Sequence, residues 1–163
     1  MTAQIILTDG SIALIDEEDQ KAASAYRWHR AGWQGQYAAA SVKFDGKWQP
    51  LYLHRFILSA PHGVEVDHRN GDKLDNRREN LRFVTRGQNQ QNRQGAQANS
   101  STGKRGVYWM AGRKKAYRAI VQVGGKVHRL GYFGTVDEAA AAAAEGRRRL
   151  MTHSPECEED VPA

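Results

Sequence analysis

The sequence predicts an α+β chain of small units rather than one large domain. Three observations carry that expectation. Short apolar runs separated by turn signals fill the first half. A stretch of Gln, Asn, Ser and Gly over residues 95–102 has no apolar periodicity and reads as a flexible linker. Beyond it, three strand-like runs precede one alanine-rich helix. The expected layout is an N-terminal β-rich scaffold over 1–50, a compact mixed core over 51–94 and the linker. A three-stranded antiparallel sheet plus helix over 103–152 follows, and then a disordered acidic tail over 153–163.

In the scaffold, Ile5–Leu7 and Ser11–Ile15 flank the turn signal Thr8-Asp9-Gly10. Asp16 is placed to cap a helix opening with Glu17-Glu18-Asp19, whose charges suit the positive end of the dipole, and that helix ends before Trp28. Tyr37–Val42 and Trp48–Leu53 form the next expected pair, around Asp45-Gly46. At the end of the core, Thr85-x-x-Gln88 is a capping-box pattern. After the linker, Arg105–Trp109 starts the sheet. Tyr117–Val123 alternates, with Tyr117, Ala119, Val121 and Val123 on one face and Arg118, Ile120 and Gln122 on the other. Gly124-Gly125 is a hairpin signal into Lys126–Leu130. Thr135-x-x-Glu138 opens the helix over Ala139–Ala144, which Gly146 weakens and Arg147–Arg149 complement at its negative end.

Composition narrows the function classes. The 163 residues carry 24 Lys and Arg against 18 Asp and Glu, and a net charge of +6 favours a polyanionic partner. That charge is uneven: net −1 over 1–53, +3 over 54–102, +8 over 103–152 and −4 over the last eleven residues. A single cysteine, Cys157, excludes a disulfide framework and a multi-cysteine zinc site. No apolar run approaches the ~20 residues that span a bilayer, and the first residues lack a signal peptide's pattern. A cytoplasmic protein with no membrane partner and no obligate protein partner is the expectation.

The chemistry concentrates between residues 53 and 93. Leu53-His54-Arg55 is followed by Val66-Asp67-His68-Arg69-Asn70-Gly71, then Glu79-Asn80-Leu81, Thr85 and Gln88-Asn89. From Leu51 to Gln94 this pattern resembles the HNH nucleases, in particular the phage and intron-encoded homing endonucleases. Residue type and spacing agree at several separate points. The resemblance implies a ββα-metal core, with Asp67 as metal-binding carboxylate and His68 as general base. It makes Asn80 the residue that orients the histidine and braces the loop. Asn89 stands where many members have His, and becomes a second metal ligand through its carbonyl oxygen. One carboxylate and one amide oxygen, completed by water and phosphate, suit Mg²⁺ or a similar cation such as Mn²⁺. Successive strand residues face opposite ways, so Asp67 and His68 must straddle a phosphate at the strand's end. Arg69, Arg77, Arg78, Arg82 and Arg93 are candidate DNA-backbone contacts, against the plainer reading of a solvated charged face. For His54 two readings stand: it positions a phosphate, or it packs beside Leu53 and Phe56. His29, His62, His128 and His153 have no partner pattern.

The second half carries a resemblance of its own. Arg105-Gly106-Val107, Tyr117-Arg118-Ala119-Ile120, Arg129-Leu130-Gly131-Tyr132-Phe133 and Asp137-Glu138-Ala139-Ala140 are similar to the Apetala-two/ethylene-response-factor DNA-binding domain. That family lays a three-stranded sheet in the major groove with the helix behind it. The resemblance implies DNA contacts from Arg105, Trp109, Arg113, Arg118, Gln122 and Arg129, against the plainer reading of an ordinary charged face. An endonuclease acting on double-stranded DNA, tethered by a sequence-reading module, is the function these features predict. A non-catalytic DNA-binding regulator derived from such an enzyme is the alternative, with RNA processing a weaker third.

Overall fold

The computed structural model of the chain describes residues 1–93 and 95–158. Residues 159–163 of the expected acidic tail lie outside the described residues. The architecture is mixed α+β, built on four small antiparallel sheets, and it divides into a unit over Met1–Asn89 and a unit over Gln90–Ala163.

In the first unit, strands β1 (Thr2–Ile6) and β2 (Ile12–Asp16) pair around the Asp9-Gly10 turn, where Asp9 accepts from both Ser11 N and Ser11 Oγ. Helix α1 (Glu17–Ala23) follows with its acidic first turn. Asp16 does not cap it. Its carboxylate accepts instead from the Arg78 backbone N–H at 2.7 Å, sixty-two residues on. Strands β3 (His29–Ala31), β4 (Tyr37–Phe44) and β5 (Lys47–Tyr52) make a three-stranded sheet in the order β3-β4-β5. Helix α2 (Leu53–Ile57) leads to the ribbon of β6 (Glu65–His68) and β7 (Leu81–Val84), closed by helix α3 (Arg86–Gln91). The β6–β7–α3 order is the ββα unit expected from the sequence.

Among the described residues, the core of residues 1–50 is continuous with that of the following segment. Ile5, Leu7, Ala13, Ile15, Trp28 and Ala38 share one buried core with Leu53, Ile57 and Leu81. The long β6–β7 loop is stitched to β2: Leu14 N donates to Leu74 O and Asn76 N to Leu14 O, each at 2.8 Å. The β1–β2 hairpin therefore walls the site instead of standing apart from it.

In the second unit, β8 (Val107–Trp109), β9 (Tyr117–Val123) and β10 (Lys126–Phe133) form a sheet in the order β10-β9-β8, backed by α4 (Val136–Leu150). Val107, Ala119, Ala139 and Ala143 make its core. Thr135 and Glu138 form the full capping box. Gly146 is buried, and a Cβ there would run into Leu130 and Val121, so the residue expected to weaken the helix is what lets it lie close on the sheet. The division falls at Asn89/Gln90 rather than within 95–102, because Gln91 and Arg93 carbonyls accept from Arg105 and Gln91 Oε1 accepts from Thr152 and His153 N–H. Part of the expected disordered tail is ordered: α5 (Pro155–Glu158) follows buried Ser154, and Glu156 pairs with Arg147. Among the described residues no helix is long and apolar enough to cross a membrane.

Candidate active site

Asp67 and His68 end β6, opposite Arg82 and Leu81 of β7, and both are buried. As the pleat requires, they serve opposite faces. His68 lies among rings: its centroid is 5.1 Å from that of His54 and 6.1 Å from that of Tyr37, and His54 sits in turn 5.6 Å from Tyr52. Asp67 faces cations. Arg82 donates to its Oδ2 from Nε at 3.1 Å and from a terminal nitrogen at 2.9 Å, and Lys73 Nζ stands 4.0 Å from Oδ1.

The residue holding the His68 ring is Asn76, which sequence reasoning passed over. His68 Nε2 and Asn76 Oδ1 are 3.3 Å apart, and the Asn76 amide nitrogen donates to Leu74 O at 3.0 Å. With its nitrogen so engaged, Asn76 presents an acceptor, so His68 Nε2 carries the proton and Nδ1 is the basic nitrogen. Burial, reinforced by the charge of Lys73, lowers the His68 pKa to about 4 and keeps the ring neutral at neutral pH. Asn76 gave no signal in the sequence beyond lying in an Asp-Asn-Arg run, because its role depends on the loop's long-range pairing with Leu14.

Asn80, expected to orient the histidine and brace the loop, bonds to loop backbone, while the atom beside the His68 ring belongs to Asn76. Asn80 Oδ1 accepts from Asn70 N at 3.0 Å and its Nδ2 donates to Asp75 O at 2.7 Å. Asp75, buried behind it, accepts from Asn70 Nδ2 and grips Arg77, whose guanidinium hydrogen bonds hold the carboxyl below the usual range. His54 is buried against the rings of His68, Tyr37 and Tyr52, burial and then the neighbouring His68 lower its pKa to about 3, and its Nδ1 has no partner among the described residues.

Asn89 Nδ2 donates to Glu65 Oε2 at 2.8 Å, and Glu65 alternates with Asp67 along one face of β6. The nitrogen being engaged, the carbonyl oxygen is the atom Asn89 offers a cation. Among the described residues no group of three or more His, Cys, Asp or Glu is placed to hold a metal. Arg82 and Lys73 balance the Asp67 carboxylate in the structure, and Asp67 and Asn89 are oxygen donors of the kind a hard cation takes when water and phosphate complete its shell.

The arginines are redistributed. Arg82 is committed to Asp67, and Arg77 to Asp75 and Glu79, so neither presents the open guanidinium expected of a DNA contact. Arg105 is likewise committed, to the carbonyls of Gln91 and Arg93. Arg69 and Arg93 are exposed. On the outer sheet face, Tyr108, Arg118 and Tyr132 stand opposite one another across three strands, flanked by the Ile120–Arg129 and Gln122–Val127 pairs. Arg113 lies over the Tyr132 ring at 4.6 Å and Arg118 over Tyr108 at 5.6 Å. Trp109 pairs with Tyr117, so it projects on the helix side of the sheet, away from that face.

The family model for HNH endonucleases matches residues 52–91, the stretch that holds Asp67, His68, Asn76, Asn80 and Asn89. The chain is also 30% identical over 140 residues to an uncharacterised HNH endonuclease of Acanthamoeba polyphaga mimivirus, covering 80% of this chain and 66% of the relative. No solved structure matches the chain at a comparable level. Residues 52–91 are therefore similar to an HNH endonuclease domain, and the chain spans 66% of the length of the viral relative.

Proposed function

We propose that the chain is a divalent-metal-dependent DNA endonuclease of the homing type, nicking or cleaving duplex DNA, with its second unit an Apetala-two-like module that reads the target. The observation that carries the reading is the end of β6. There Asp67 and His68 serve opposite faces of one strand end, and Asn76 fixes His68 in the tautomer whose Nδ1 accepts a proton. His68 Nδ1 takes the proton of a water whose oxygen bonds to phosphorus as the phosphodiester P–O bond breaks. A divalent cation held by Asp67 and Asn89, such as Mg²⁺, supplies compensation for the charge that develops on phosphate and leaving oxygen. The phosphodiester anion, brought beside His68, opposes the depression of its pKa and strengthens the base.

The second unit suits a tether. Its outer face offers Arg118, Arg129 and Gln122, groups that pair with base edges, with Tyr108 beneath the Arg118 guanidinium and Tyr132 beneath that of Arg113. The match to the viral relative covers more of the chain than the first unit alone contains, so it extends into the second.

Incubating supercoiled plasmid with the protein in Mg²⁺ or EDTA tests the reading. Cleavage is expected in Mg²⁺ only, abolished in His68→Ala while DNA affinity in EDTA is kept. Undiminished cleavage by purified His68→Ala overturns the mechanism. Tight binding by the wild type without cleavage in Mg²⁺ or Mn²⁺ identifies a non-catalytic binder instead. Arg118→Ala with Arg129→Ala is expected to weaken binding and reduce its salt slope by about two.

A further inference from the structure

The β4–β5 hairpin projects beyond its sheet. β3 pairs only with Tyr37–Ala39, whereas β4 and β5 continue together as a two-stranded ribbon to the Phe44↔Lys47 pair. Every residue from Lys43 to Pro50 is exposed. The ribbon's end carries two large aromatics, Trp48 at 71% and Phe44 at 70% exposure. Register places Lys43 opposite Trp48 and Lys47 opposite Phe44. Directly opposed residues share a face and neighbouring pairs alternate, so each face of the tip presents one aromatic beside one lysine.

A ribbon that merely closed a core would keep its aromatics on one face. Aromatic–lysine pairs on both faces suit an element flanked by two anionic walls, and a two-stranded ribbon fits the DNA major groove, about 12 Å wide. One of these faces is continuous with the candidate site. Tyr37 and Tyr52 project from the same face as Lys43 and Trp48, their rings meet at 5.8 Å, and both approach His54. Trp48 lies four residues along β5 from Tyr52, roughly 13 Å, or about four base-pair steps.

We propose that the Lys43–Pro50 ribbon is a second duplex-DNA contact, lying in the groove about four base pairs beyond the tyrosines that flank the His54–His68 pair. The inference rests on the nuclease reading for its position and on charge and exposure for its partner. The sequence marked this segment as scaffold, and its lysines lie in a stretch of net −1 charge.

The test measures binding of a labelled 40-base-pair mixed-sequence duplex by the full chain in EDTA, for wild type, Lys43→Ala/Trp48→Ala and Lys43→Ala/Trp48→Phe. Affinity is expected to fall about tenfold in the first variant, with the salt slope reduced by about one, and to recover partly in the second. Unchanged affinity and slope overturn the proposal. So does a dimer in sedimentation that Trp48→Ala dissociates, since a second copy would then occupy the ribbon. Plasmid cleavage in Mg²⁺ is run in parallel. Loss of affinity without any wild-type cleavage keeps the DNA contact and refutes the nuclease. Cleavage with unaltered affinity in the variants refutes the ribbon alone. On a duplex whose break has been mapped, hydroxyl-radical protection about four to seven base pairs from the break should vanish in the first variant, and its persistence also overturns the proposal.

Discussion

Asn80→Ala offers a sharp test of how the β6–β7 loop is held. The side chain is 6% exposed and both of its amide atoms are bonded to backbone, Oδ1 to Asn70 N–H and Nδ2 to Asp75 C=O. Truncation leaves both backbone groups without these partners. Asn70 is exposed, so its N–H regains water and falls at the low end of the ~1–3 kcal/mol for an orphaned group. Asp75 is buried, and its carbonyl falls at the high end. The sum is about 3–4 kcal/mol, a large share of the ~5–15 kcal/mol that a domain holds in reserve. Urea unfolding followed by Trp28, which is buried in the first unit's core, reads this change directly. The loop also carries Lys73 and Asn76, so cleavage measured where the variant stays folded should fall about 100-fold, a small displacement at a reacting centre being enough. A midpoint shift worth less than about 0.5 kcal/mol, with cleavage intact, refutes the brace.

Two further outcomes follow from a buried ring and a close backbone approach. His54 has a folded-state pKa of about 3, below the ordinary 6.5, so the stability it contributes is complete above pH 6.5 and is lost as pH falls toward 3. Between pH 7.5 and 5.0 that loss is about 2 kcal/mol in urea unfolding, and His54→Phe should remove it; an unchanged pH dependence in the variant refutes the assignment. Gly106 has φ +77°, and a Cβ there would lie 2.5 Å from the Ile120 carbonyl oxygen, a backbone atom held in the sheet. Gly106→Ala should therefore destabilise the second unit by about 3 kcal/mol in thermal unfolding, and a neutral change contradicts the close approach.

What the sequence made legible was local, or repeated at fixed spacing. The Thr135/Glu138 capping box, the Gly124-Gly125 hairpin and the opposite facing of Asp67 and His68 each need only neighbours a few residues away. The pieces that eluded it are held at long range. Asp16 looks like an N-cap because its local context is a helix start, yet the Arg78 N–H competes for its carboxylate from across the unit. Asn76 is fixed in front of His68 only because Leu14 pairs with the loop on both sides of Asp75. Gly146 looks like a flaw in the helix until Leu130 and Val121 are brought against it.

Charge shows the same divide with more consequence. The +3 of residues 54–102 suggested a belt of arginines for phosphate. Arg77, Arg78 and Arg82 instead neutralise Asp75, Asp19 and Asp67. These pairs fix the loop to α1 and hold the carboxylate proposed for the cation, so those three are structural cations with little reach toward DNA. On the proposed nuclease reading, positive charge toward the flanking duplex must come, within the first unit, from groups outside these pairs. Lys43 and Lys47, exposed at the end of the hairpin within the stretch of net −1, answer that need where the charge count pointed away. Net charge measures what a segment contains, and only the pairing shows how much of it a polyanion can meet.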